Sequence, residues 1–129
     1  MKLIFFIHDC QDDPEPRRQV LESSGYSVRS FSSGSEALEA LSVDQPDAVV
    51  MDILLDGPNG FEVCRSIRAR HPAGELPVIL CSAVYRKRVF KEEAWDAGAQ
   101  GYLLKPVDPD DLVQHVNSAC SRKPAPKLG

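Results

Sequence analysis

The sequence predicts an α/β fold, a five-stranded parallel sheet with helices on both faces, in a single domain of 129 residues. Two observations carry this. Leu3-Ile4-Phe5-Phe6-Ile7 and Ala48-Val49-Val50-Met51 are short, continuous apolar runs without alternation, the pattern of strands buried on both faces. Between such runs lie segments with apolar residues at helical spacing, so that strand and helix alternate five times. Right-handed crossovers leave few topologies, and the flavodoxin-like (βα)5 order 2-1-3-4-5 is the natural choice.

In chain order, the first strand, Leu3 to Ile7, ends on His8-Asp9. Asp12-Asp13-Pro14-Glu15-Pro16 opens the first helix, with acids at the positive end of its dipole. Pro16 comes late for a first turn, so some irregularity is expected there. The helix runs through Val20 and Leu21 and stops near Gly25. Ser27 to Phe31 alternates, as an outer strand does. Ser33-Gly34-Ser35-Glu36 starts a second helix with Ala37, Leu38 and Leu41 on one face, and Pro46 leads into the strand that ends at Asp52. Phe61, Val63, Cys64 and Ile67 form the stripe of a third helix ending near His71-Pro72, followed by a strand over Pro77 to Cys81. A fourth helix spans Arg86 to Ala97, with Phe90, Ala94 and Ala97 at helical spacing and Gly98 as its stop. Gly101 to Leu104 is the fifth strand, and Asp108-Pro109-Asp110-Asp111 caps a last helix with Leu112, Val113 and Val116 inward. The domain is assigned to residues 1–122, and 123–129 to a Pro/Lys tail or the start of a linker.

The bulk numbers exclude several classes. A net charge of −4 makes no electrostatic case for nucleic acid or an anionic membrane. Lys2 before five apolar residues imitates a leader, but the run is too short for one or for a membrane span. Cys10, Cys64, Cys81 and Cys120 are widely spaced, which favours reduced, mostly buried thiols in a cytoplasmic protein over a disulfide or zinc framework.

In an open α/β sheet, chemistry collects outside the carboxyl ends of the strands. Four of those ends deliver Asp9, Asp52, Ser82 and Lys105 to one rim, and the predicted order makes Asp9 and Asp52 neighbours. Facing carboxylates repel unless a cation intervenes, and Mg²⁺ prefers a few carboxylates with water and phosphate oxygens. A hydroxyl and a lysine complete a site able to hold three phosphoryl oxygens, where an aspartate can attack phosphorus to form an acyl phosphate.

These residues, in this order and spacing, make the sequence resemble the receiver domain of two-component response regulators, the CheY-like superfamily, along nearly its whole length. The matching pieces are Asp9 after the first strand, Asp52 with Gly60 eight residues on, Leu76-Pro77-Val78-Ile79-Leu80-Cys81-Ser82-Ala83, and Ala97-Gly98-Ala99 with Tyr102-Leu103-Leu104-Lys105-Pro106. The resemblance implies that Asp52 is the phosphoacceptor for a sensor histidine kinase or phosphotransfer protein. Asp9, Asp52 and the Leu54 carbonyl would hold Mg²⁺ or Mn²⁺, and Ser82, Ala83 and Lys105 would contact the phosphoryl group, with Lys105-Pro106 cis. Ser82 and Tyr102 would form the switch that alters the face of the fourth helix, fifth strand and fifth helix. The partner on that side would be an output domain or protein, with room for a phosphorylation-dependent homodimer and with no nucleic acid or membrane contact by this domain.

The family usually has two adjacent acids after the first strand, and here the first is His8. A neutral imidazole adds no negative charge and suits transition metals better. In the family this acid reaches the metal through water, so its loss resembles an outer-shell change, worth roughly 10–100-fold in affinity. Three readings stay open: a tolerated substitution, an altered metal or pH response in which His8 takes part, and a degenerate receiver that works without phosphate. His8 and Cys10 fall on one side of an extended segment, but two soft ligands are too few for a closed zinc site. Leu55 and Asp56 stand where Met and Pro are common. Leu54 and Val84, both apolar, flank the approach of hydrolytic water in the family, which implies self-dephosphorylation over many minutes or longer.

Arg86-Lys87-Arg88 is a solvated helix start or a docking point for an acidic partner, and Trp95 is an interface aromatic or a packing residue. His71 and His115 are expected on the surface. The leading function is a switch that catalyses only its own phosphoryl transfer and hydrolysis, and the alternative is a phosphate-independent interaction module. An aspartate-nucleophile phosphatase fails because its second Asp, two residues on, would be Leu54.

Overall fold

Five parallel strands form one sheet in the computed structural model, which describes residues 2–9, 13–85 and 87–121. They are β1 (Leu3–Ile7), β2 (Ser27–Phe31), β3 (Ala48–Asp52), β4 (Val78–Ser82) and β5 (Gly101–Leu104), in the spatial order β2-β1-β3-β4-β5. This is the flavodoxin-like order expected from the crossover rule. Five helices alternate with them: α1 (Glu15–Ser23), α2 (Gly34–Leu41), α3 (Gly60–Arg70), α4 (Arg88–Asp96) and α5 (Pro109–Ser121).

The continuous apolar runs are buried on both faces, as their lack of alternation requires. Phe5, Ile7, Val49, Met51, Val78 and Leu80 face a core shared with α2, α3 and α4. Ile4, Phe6, Ala48, Val50, Ile79 and Cys81 point the other way, onto Leu21 of α1 and onto Leu112 and Val116 of α5. Every residue of β3 and β4 is buried, whereas edge strand β2 is closed only at Phe31.

Helix starts follow local chemistry, with one correction. Ser33 and Asn59 accept from the amides of Glu36 and Glu62, and Asp108 accepts from those of Asp110 and Asp111. The first helix begins at Glu15, inside the stretch expected to open it. Asp13 accepts from the Glu15 amide, and Pro16 falls in the first turn, where a missing N–H costs nothing. The fourth helix begins at Arg88, with Lys87 as a cap that lends no side-chain acceptor. Val113 is only half-buried, so the inward stripe of α5 continues instead through Ala119 and Cys120. Cys10, Asp12, Arg86, residue 122 at the end of the assigned domain and the tail over 123–129 lie outside the described residues.

Cys64, Cys81 and Cys120 are buried thiols outside any disulfide, as the spacing implied. Burial pushes the Cys64 and Cys81 thiols up to about 11 from an ordinary 9.0. A thiol raised in the folded state adds stability below its unfolded value and loses it as pH climbs through the folded one. The expected result is a urea midpoint that falls between pH 9 and 11. Both thiols should also stay silent to a disulfide reagent at neutral pH until denaturant is added. Rapid labelling of the native protein at either cysteine would contradict the packing. Among the described residues, no helix is long and apolar enough to cross a membrane.

Candidate functional site

The sheet order brings the expected rim together. Asp9 follows β1, and β1 pairs with β3, which ends on Asp52. Asp52 is opposite Cys81 in β4, and Ser82 is opposite Leu104 in β5, so Lys105 emerges beside Ser82. The Lys105 amide donates to the Ser82 carbonyl at 2.9 Å, and the Lys105-Pro106 peptide is cis. Asp9, Leu54, Ser82, Ala83 and Lys105 line one open cavity of about 480 Å³, together with Arg17.

Asp52 is 1% exposed and both its oxygens are engaged. Its Oδ2 accepts from the Asp9 amide at 3.0 Å and meets the Lys105 Nζ at 3.0 Å. The sequence reading missed a second cation. Arg17 of α1 donates through Nη1 to Oδ1 at 2.6 Å and through Nη2 to Oδ2 at 3.1 Å, a bidentate fork. Its guanidinium lies 4.7 Å from the centre of the Phe6 ring, and the residue is only 7% exposed. A signal was present in the sequence. Arg17 is three and four residues before Val20 and Leu21, hence on the buried face of α1, where an unpaired charge has no place. A buried arginine on such a face requires a buried acid.

The resemblance calls for a divalent cation on Asp9, Asp52 and the Leu54 carbonyl. As arranged, the donor set does not fit one. The carboxylate that should bind the metal is closed by a guanidinium and an ammonium, and His8 brings no negative charge. The His8 ring packs 5.5 Å from Phe6, and its Nδ1 lies 3.3 Å from the Asp9 carbonyl. Among the described residues, no cluster of three or more His, Cys, Asp and Glu side chains converges to hold a metal.

Ser82, which ends β4, and Tyr102 of β5 both bond to the loop after β4. Ser82 Oγ accepts from the amides of Val84 and Tyr85 at 3.2 and 3.0 Å, and the Tyr102 hydroxyl donates to the Tyr85 carbonyl. Burial raises the Tyr102 phenol above its ordinary value, and a hydrogen bond with Ser82 opposes that shift. Beyond Tyr102 lies a surface hollow of about 540 Å³ lined by Lys87, Arg88, Lys91, Trp95 and Leu104. Trp95 is 45% exposed with the Lys91 Nζ 5.9 Å from its ring centre, a surface aromatic rather than core packing. His115 is exposed and His71 half-buried, and neither lines the cavity beside Asp52.

The class of protein is thus a doubly wound α/β domain whose switch-point rim carries an aspartate, a lysine and a hydroxyl. The family model for the response regulator receiver domain matches residues 4–117. Response regulator MprA of Mycolicibacterium vanbaalenii is 35% identical over 120 residues, covering 92% of this chain and 50% of that protein. MprA of Mycobacterium leprae is likewise 35% identical, over 92% of this chain and 51% of its own. The chain thus spans about half the length of these curated relatives. Among solved structures, the signal receiver domain of a histidine kinase from Syntrophus aciditrophicus superposes with a TM-score of 0.82 at 26% identity, covering 100% of this chain and 99% of that one. A CheY-like receiver domain protein from Methanospirillum hungatei shares the fold with a TM-score of 0.85 at 24% identity, over 95% and 96% of the two chains. The chain belongs to the response regulator receiver family of two-component signalling.

Proposed function

We propose that this domain is a cytoplasmic phosphoacceptor switch in which Asp52 takes a phosphoryl group from the phosphohistidine of a sensor histidine kinase or phosphotransfer protein. The observation that carries this reading is the convergence of the Lys105 Nζ and the Asp9 amide on one oxygen of a buried carboxylate, with Ser82 on the adjoining strand. An Asp52 oxygen attacks phosphorus, the P–N bond breaks, and the departing imidazole keeps the electron pair and gains a proton. Charge spreads over the three equatorial oxygens, which Lys105 and, once it has turned, the Ser82 hydroxyl would stabilise. Hydrolysis by water restores Asp52, and the domain catalyses nothing else. When Ser82 turns to a phosphoryl oxygen, the Val84 and Tyr85 amides lose their acceptor. The Tyr85 carbonyl holding Tyr102 then shifts, changing the α4–β5–α5 face offered to an output domain, a target protein or a second copy.

The test is intact mass after incubation with acetyl phosphate and Mg²⁺. One added phosphoryl group is expected on the parent and none on Asp52→Asn, and the label should persist for many minutes, because Leu54 and Val84 are apolar at the positions that flank the water approach in the family. A label retained in Asp52→Asn overturns the assignment. A second reading, a phosphate-independent interaction module, draws support from His8 and from the closed state of Asp52. A parent that stays unlabelled while His8→Asp accepts phosphate would decide for it.

A further inference from the structure

We propose that Arg17 is a built-in counter-cation of Asp52 that competes with a divalent metal ion for the same carboxylate, so that the acceptor admits Mg²⁺ or Mn²⁺ only when the guanidinium has moved off. Three observations support it. The fork engages both Asp52 oxygens, at 2.6 and 3.1 Å, leaving no carboxylate oxygen without a cationic donor. The guanidinium is held in place, stacked 4.7 Å from the Phe6 ring centre, rather than waving in solvent. Asp52 is 1% exposed while Arg17 lines the cavity outside it, which makes Arg17 a cover as well as a partner.

A guanidinium is the cation best suited to this position. It stays charged at every physiological pH, is more weakly hydrated than an ammonium, and matches a carboxylate with two parallel donors. A metal ion approaching Asp52 meets that positive charge in a setting of low dielectric, so the two occupants exclude one another. The occupancy of Asp52 by metal is then set by how often Arg17 is away, and the apparent metal affinity falls by that fraction. His8 acts in the same direction, since the acid that would help draw a cation inward is absent.

The meaning for signalling rests on Asp52 being the phosphoacceptor, but the competition itself does not. Its test therefore uses no phosphodonor. Mn²⁺ binding is followed by loss of the free-ion electron paramagnetic resonance signal, and thermal unfolding is recorded with and without MgCl2. The proteins are the parent, Arg17→Met, and Arg17→Met combined with Asp52→Asn. Methionine keeps an unbranched stem against Phe6 and removes the charge, while Lys105 continues to answer Asp52. Mn²⁺ affinity is expected to rise by about tenfold or more in Arg17→Met, the gain when a state open a tenth of the time becomes the only state. The melting temperature of Arg17→Met should climb with MgCl2 while that of the parent stays nearly still, because only a ligand of the folded state stabilises it. Both effects should vanish in the double variant. Equal or weaker Mn²⁺ binding in Arg17→Met overturns the proposal, as does tight binding that survives Asp52→Asn. Should Arg17→Met fail to fold, Arg17→Gln, which can still donate one hydrogen bond to Asp52, is read by the same criteria. A merely structural arginine would lower the melting temperature without making it depend on magnesium.

Discussion

Replacing Lys105 by methionine is expected to slow phosphoryl uptake by Asp52 about 100-fold or more while leaving the fold intact. The rate effect follows from where charge grows. In phosphoryl transfer the protein does little covalent work and mainly stabilises negative charge on the transferred oxygens. Removing one aimed donor from such a site typically costs about 10²–10³ in rate. The fold survives because the Lys105–Asp52 contact at 3.0 Å is not the only one that neutralises the carboxylate. Arg17 remains on both oxygens and the Asp9 amide on one, so the buried acid is not stranded. Lys105→Arg should recover only part of the rate, because a planar fork does not reproduce a compact point charge. The check is the initial rate of acetyl phosphate labelling by intact mass, beside urea unfolding of the same proteins. A rate within a few-fold of the parent, with unchanged stability, would remove Lys105 from the reaction.

The contrast between Lys105 and Arg17 shows where reading the sequence works and where it stops. Lys105 was found because strand ends are addresses, and a parallel sheet of known order sends all of them to one rim. Asp9, Asp52 and Ser82 were legible for the same reason. The sheet itself was legible because a doubly buried strand leaves a continuous apolar run, as in Val49-Val50-Met51. Arg17 carries no such address. It reaches Asp52 from the first turn of a helix packed on the sheet, across 35 residues of chain, and nothing local marks that contact. Only its violation of the apolar stripe that includes Leu21 hints at it. The start of α4 was displaced by two residues, from Arg86 to Arg88, because several bases in a row offer alternative first turns, and tertiary packing selects among them. The choice between a fit for metal and a fit for guanidinium was beyond spacing altogether, since it depends on which side chains reach the Asp52 oxygens in the folded chain.

A valine at Gly60 is expected to destabilise the protein by about 3 kcal/mol and to disable the acceptor site with it. Gly60 opens α3, and its amide donates to the Ile53 carbonyl at 2.8 Å, which closes the loop after Asp52. A Cβ there would lie 2.7 Å from the Asp52 carbonyl oxygen and 2.8 Å from the Ile53 Cα. Both are backbone atoms of β3 and its exit, so no side chain can rotate out of the way. Relief requires either that α3 back off, opening the core around Phe61 and Ile67, or that Asp52 shift relative to Lys105 and Arg17. Either movement breaks what the site depends on, because the ion-pair distances of 2.6 to 3.1 Å tolerate little displacement. Gly57 provides the comparison within the same loop. It has φ +79 and nothing within 4 Å of an added Cβ, so Gly57→Ala should cost only the backbone strain of a left-handed residue, about 1 kcal/mol. Urea midpoints of the two variants separate the cases. Gly60→Val should fall well below Gly57→Ala, and acetyl phosphate labelling should be lost in the first and retained in the second. If Gly60→Val unfolds no earlier than Gly57→Ala, the close approach of α3 to β3 is not what fixes Asp52 in place.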